Sequence, residues 1–191
     1  MRSFPTIWFL RHGETEWNAE RRIQGQLESQ LTERGLLHAE AQKSILSSIL
    51  ADDPACYASP LGRAQATAEI ALDGGSFHTD ERLAEAQAGR FQGMTLPEVE
   101  RDYPEIYAAN PRHLDLFCAA PDGEGWQSLY DRTFDFLTEL ERPSVIIAHG
   151  LLGQVVRGIL CGLPRDEMAR LPNEQGCVYV LKAGAETVLR R

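Results

Sequence analysis

Residues 144–148, Ser-Val-Ile-Ile-Ala, make a β-branched apolar run with no polar alternation. That is the pattern of a strand covered on both faces, and such strands sit in parallel sheets with helices above and below. Similar short runs occupy residues 6–10 and 55–58, and residues 76–80 offer a further short strand. Helical spacing of apolar residues covers 33–50, with Thr32 placed to cap its start, then 61–72 before Gly74-Gly75, 126–140 and 151–161. Residues 178–182 and 186–189 read as a closing hairpin around Ala183-Gly184. Strands alternating with helices predict an α/β fold with a mostly parallel central sheet. Between 89 and 123, Pro97, Pro104, Pro111 and Pro121 break the chain into short helices, an excursion over the sheet edge. With no repeat or linker, the 191 residues are expected to form one domain, 1–191, in which 88–125 is a substrate-side insertion or lid.

An apolar share of 43% with 25% charged residues belongs to an ordinary globular chain and excludes a disordered one. The net charge of −9 argues against nucleic acid or an anionic membrane as partner, so an anionic ligand must be caught by a local cluster of positive groups. Cys56, Cys118, Cys161 and Cys177 show no metal-ligand spacing and read as free thiols of a reducing compartment. The apolar run at 7–10 is too short for a secretory leader, and no stretch approaches the ~18 apolar residues of a membrane span. A cytoplasmic location is expected; homodimer formation is left open.

Parallel sheets bind ligands at the carboxyl ends of their strands. Here those ends carry Arg11 and His12, then Arg63 just past Ser59-Pro60, then His149. A lone His-Gly after a strand is more often a satisfied buried group. Two of them together with two arginines point instead to phosphate chemistry. Guanidinium forks hold phosphate oxygens in pairs, and helices starting after these turns add backbone N–H groups. A neutral imidazole can attack phosphorus and carry the group as a phosphohistidine. Glu85 is the candidate acid for the leaving oxygen and the base for the attacking water.

The stretch L-R-H-G-E-T-E-W-N at 10–18 resembles the signature of the histidine phosphatase, or phosphoglycerate mutase-like, superfamily. The resemblance continues through I-Q-G at 23–25, L-T-E-R-G at 31–35, S-P-L-G-R-A-Q-A-T-A at 59–68, D-E-R-L-A-E at 80–85 and A-H-G at 148–150. It implies a three-layer α/β/α sandwich, His12 as phosphoryl acceptor, and Arg11, Arg63 and His149 as the rest of the phosphate pocket. It also implies Glu85 as proton donor, Asn18, Gln24, Gly25 and Gly150 on the substrate side, and neither metal nor cofactor. Leu151 stands where a second glycine is common, and A-G-R-F-Q-G at 88–93 and P-D-G-E-G at 121–125 depart from the usual blocks. The departures leave the phosphate pocket intact and bear on substrate choice.

The expected activity is metal-independent hydrolysis of small phosphate monoesters. A cofactor-dependent phosphoglycerate mutase is the rival; such enzymes carry a longer insertion between the acid and the second histidine. A non-catalytic phosphate-binding protein of the same fold is the second rival, and a metal-dependent hydrolase lacks any H-x-x-x-H spacing to support it. His38, His78 and His113 receive no role, Glu124 is expected to cap the helix near Trp126, Trp8 and Phe9 to be core, and Trp17 to wall the pocket.

Overall fold

The computed structural model describes residues 4–191; residues 1–3 of the expected domain lie outside them. In chain order the elements are β1 (Ile7–Arg11), α1 (Glu16–Ala19), α2 (Glu33–Leu46), β2 (Ala55–Ala58), α3 (Gly62–Ala71), β3 (His78–Thr79), α4 (Leu96–Asp102), α5 (Pro104–Ala109), α6 (His113–Cys118), α7 (Gly125–Thr138), β4 (Ser144–Ala148), α8 (Gly150–Cys161), α9 (Arg165–Met168), β5 (Val178–Lys182) and β6 (Ala185–Leu189). One six-stranded sheet runs β3-β2-β4-β1-β5-β6. The first four strands in that order are parallel, and β5 and β6 add an antiparallel edge hairpin.

Successive residues of a strand face opposite sides, and β4 shows why its run from Val145 to Ala148 had to be apolar at every position. Val145 and Ile147 pack with Leu46 of α2 and Ala64, Ala68 and Ala71 of α3. Ile146 and Ala148 pack with Leu129 and Phe136 of α7 and Leu152, Val155 and Val156 of α8. These are the two helical layers of an α/β/α sandwich. The segment after Glu85 has a small core of its own, in which Phe91, Val99 and Leu116 surround Ile23.

Two element ends differ from the sequence reading. The expected helix over 33–50 stops at Leu46 and resumes as a single 3-10 turn at Leu50–Asp52. Glu124 precedes α7 but makes no cap; its carboxylate accepts from Gln87 N at 2.8 Å and pairs with Arg132 at 2.9 Å. Arg132 in turn donates to the carbonyls of Arg82 and Glu85, so the pair braces the segment that carries Glu85.

Candidate active site

The site follows from strand register. Arg11 is paired with Ala148 across the parallel β1 and β4, so the next residues, His12 and His149, leave adjacent strands side by side. Their ring centroids are 5.2 Å apart, with the planes inclined at 58°. On the far side of β4, Ala58 pairs with Ile147, which sets Ser59 next to His149. Ser59 Oγ lies 2.6 Å from His149 Nε2 and also accepts from Leu61 N at 3.2 Å.

His12 is 3% exposed and His149 fully buried. His12 Nδ1 lies 2.7 Å from the carbonyl oxygen of Gly13. A carbonyl can only accept, so Nδ1 carries the proton and Nε2 keeps its lone pair. Burial, then the guanidinium of Arg63 and that of Arg11, hold His12 well below the usual histidine range, which keeps that lone pair unprotonated near neutrality. Burial, then Arg63, His12 and Arg11, do the same for His149.

The loop after His12 is set by a glycine pair. A side chain on Gly35 would run into the Glu14 carbonyl, and one on Gly13 into the Gly35 carbonyl, so α2 can start against this loop only without Cβ atoms. Gly13 N donates to Thr67 Oγ1 at 3.0 Å, and Gln42 Nε2 donates to the Arg11 carbonyl at 2.9 Å. From the other side, Gln175 Nε2 donates to the His12 carbonyl at 3.0 Å, and the Asn173 carbonyl accepts from Arg11 at 2.6 Å.

Arg63 sits in the first turn of α3, where a cation opposes the helix dipole. Its guanidinium crosses to the carbonyls of Gly25, at 2.6 Å, and Leu27, at 2.9 Å, tying α3 to the I-Q-G loop. Asn18 closes a capping box with Thr15, and its Oδ1 also accepts from Gln175 at 3.1 Å, which leaves Nδ2 as the free donor. Gln24 Nε2 donates to Thr15 Oγ1 at 2.7 Å.

Glu85 is 9% exposed and differs from a free acid. Its Oε1 accepts from Ala86 N and Leu152 N, both at 2.9 Å, and its Oε2 from Leu151 N at 3.1 Å. The carboxylate thus closes the amino end of α8, and one lone-pair direction on Oε2 remains. Gly150 N makes no hydrogen bond among the described residues. The glycine lies against Arg11, whose Nε is 3.4 Å from where its Cβ would be.

Three buried nitrogens at these strand ends have no partner among the described residues: Arg11 Nε, Arg63 Nε and His149 Nδ1. The two guanidinium nitrogens are donors in any state, and buried donors left unpaired are costly, so the cavity that Arg11 and Arg63 line suits an anionic acceptor. Arg11, His12, Asn18, Gln24, Gly25, Arg63, Glu85 and Gly150 all line one cavity of about 360 Å³, in which Glu85 is the sole carboxylate. A larger apolar cavity, about 770 Å³, lies at the other end of β1 and contains none of them.

The chain belongs to the histidine phosphatase superfamily. The family model "Histidine phosphatase superfamily (branch 1)" matches residues 7–189. A glucosyl-3-phosphoglycerate phosphatase of Mycolicibacterium vanbaalenii is 33% identical over 189 residues, covering 92% of this chain and 82% of that protein. A "Probable phosphoglycerate mutase GpmB" of Salmonella arizonae is 36% identical over 181 residues, covering 86% and 79%. The solved structure of Bacillus stearothermophilus YhfR superposes with a TM-score of 0.81 at 28% identity, covering 97% of this chain and 96% of that one.

Eight of the nine sequence-predicted site residues line the site cavity; His149 is not among its lining residues and joins the site through its ring, 5.2 Å from that of His12. Trp17 does not wall it; its ring lies under the Arg22 guanidinium, 5.8 Å away, and beside Gly93. His113, given no role, does line the cavity, with Leu96 and Phe117 from the excursion. Ser59, Thr67, Gln42, Asn173 and Gln175 were missed as supports. Thr67 and Gln42 were detectable, because each is a polar residue in the buried stripe of its helix, beside Arg63, Ala64 and Ala68 in one case and with Gly35, Ala39 and Leu46 in the other.

Proposed function

We propose that the chain hydrolyses small phosphate monoesters through a phosphohistidine on His12, without a metal. The observation that carries this reading is the Nδ1–H bond of His12 to the Gly13 carbonyl, which leaves the Nε2 lone pair free as a nucleophile on a residue that lines the cavity with Arg11 and Arg63. Nε2 attacks phosphorus as the ester P–O bond breaks, and Glu85, through the open direction on Oε2, gives the leaving oxygen a proton. Arg11 Nε, Arg63 Nε, His149 Nδ1 and the Gly150 N–H take the equatorial oxygens as their charge grows. Ser59, donating into His149 Nε2, sets the tautomer that places a proton on Nδ1. Water then gives a proton to Glu85 and attacks the phosphohistidine, releasing phosphate and restoring His12. Gln24 Oε1, buried and unpartnered, suits a hydroxyl of the alcohol half. Residues 88–125, within a single domain, supply the outer wall and the specificity, in a protein of the cytoplasm. Among the described residues no helix is long and apolar enough to cross a membrane.

The names of the two relatives divide between phosphatase and mutase. The short, proline-broken segment between Glu85 and His149 favours hydrolysis. The test is acid-quenched labelling by a phosphate ester, with and without chelator, in the wild type and His12→Ala. A stoichiometric burst confined to the wild type, with chelator-resistant turnover, is expected. Substantial turnover by His12→Ala would overturn the scheme, and interconversion of phosphoglycerates faster than hydrolysis, with 2,3-bisphosphoglycerate added, would make the chain a mutase.

A further inference from the structure

Arg21 stands at the mouth of the site cavity and is unlike the other arginines there. Among the described residues it makes no side-chain hydrogen bond and no ion pair, and it is exposed. Its neighbour Arg22 is committed: it pairs with Glu20 at 3.1 Å, donates to the Gly93 carbonyl and covers Trp17. Arg11 and Arg63 are committed as well: Arg11 donates to the Asn173 carbonyl, Arg63 to those of Gly25 and Leu27, and both feel the charge of Glu85. Arg21 is the permanent charge left over.

Its backbone is equally particular. Arg21 follows α1 with φ at +58°, while Arg22 N bonds back to the Trp17 carbonyl at 2.8 Å and Arg21 N to that of Asn18 at 3.1 Å. This is the left-handed position that ends a helix, one filled most easily by glycine or asparagine. An arginine held there against its backbone preference, without a protein partner and beside a substrate cavity, points to a ligand. Ile23, Leu96 and Phe117 add apolar surface to the same cavity, and Arg22 beside them is already engaged by Glu20 and the Gly93 carbonyl. His113, also at the mouth, is lowered from its ordinary value by burial and adds no positive charge near neutrality.

We infer that Arg21 binds a second anionic group, a carboxylate or phosphate, on the alcohol half of the substrate. This rests on the phosphatase reading above and narrows its substrates to doubly anionic esters. The matched pair 3-phosphoglycerate and glycerol 3-phosphate differ at one end by a carboxylate and a hydroxymethyl group, and kcat/KM is measured for both with the wild type, Arg21→Gln and Arg21→Gly. The wild type should favour the carboxylate by about tenfold, mainly through KM, as one exposed charge-assisted contact allows. The preference should shrink with added salt, and its ratio should collapse in both variants. Arg21→Gly suits the left-handed backbone and should melt no lower than the wild type, so misfolding cannot mimic the result. A wild type that shows no preference, or variants that keep it, would overturn the inference. Should the wild type hydrolyse neither ester nor any aryl phosphate, the phosphatase reading falls. Calorimetric binding of the same two esters then decides Arg21 separately: a carboxylate advantage lost in Arg21→Gln supports it, and equal affinities refute it.

Discussion

Replacing Glu85 by glutamine separates a carboxylate that only donates a proton from one that also holds the fold. The three backbone N–H groups of Ala86, Leu151 and Leu152 all point at its two oxygens. In Glu85→Gln the amide oxygen can keep the two bonds at the Oε1 position, but an NH2 group replaces Oε2 and meets the Leu151 N–H donor to donor. Losing that charge-assisted bond and stranding its donor costs about 1.5–3 kcal/mol, and removing a negative charge held against the amino end of α8 adds about 0.3–1 kcal/mol. Together they lower the melting temperature by roughly 5–10 °C for a domain of this size. Arg11 and Arg63 also lose the carboxylate that faces them, so inorganic phosphate should raise the melting temperature of the variant more than that of the wild type. The assay is thermal unfolding followed by circular dichroism, with a phosphate titration, alongside kinetics. Turnover of poor leaving groups should fall by about 10²–10⁴-fold, and that of an activated aryl phosphate less. A Glu85→Gln protein that melts within about 1 °C of the wild type, or above it, would refute the helix-closing role.

Ser59→Ala leaves His149 Nε2 unpaired and should reduce kcat about tenfold with little change in melting temperature; an unchanged kcat would remove Ser59 from the mechanism. Gly35→Ala drives a methyl group into the Glu14 carbonyl. It should cost about 1–3 kcal/mol in urea unfolding and impair turnover by displacing the loop that holds His12. His12 and His149 are both held below the ordinary histidine value. The unfolded chain therefore binds more protons than the folded one between the folded and unfolded values, so stability rises with pH through that window. The contribution is complete above about pH 6.5 and is lost as the pH falls below it. Asp80, held low chiefly by its hydrogen bond from Arg82, loses its contribution only at more acid pH. Melting temperature should fall between about pH 7 and pH 5, and less steeply in His149→Phe; a flat profile would contradict the burial argument.

Much of the molecule was legible because the signals were local. The unbroken apolar run at 145–148, flanked by helical spacing, carried the sheet order's essential fact, a central strand needing cover on both sides. Element ends were less legible at 46–50, where no Gly or Pro marks the stop and the helix gives way to a turn. Glu124 was misjudged for a similar reason: its position before α7 suits a cap, yet Arg132 eight residues on offers a stronger partner.

The amino-acid sequence alone determined that strands would end in Arg11-His12-Gly13 and His149-Gly150, because strand period and the chemistry of imidazole and guanidinium are properties of the residues themselves. Tertiary structure decided what those groups would face. Pairing of Arg11 with Ala148 set the two rings side by side, Leu151 and Leu152 bound Glu85 across 66 and 67 residues, and Asn173 and Gln175 came back from the far end of the chain to brace Arg11 and His12. Such contacts have no period to read: they exist only once a common core has fixed how separate elements pack.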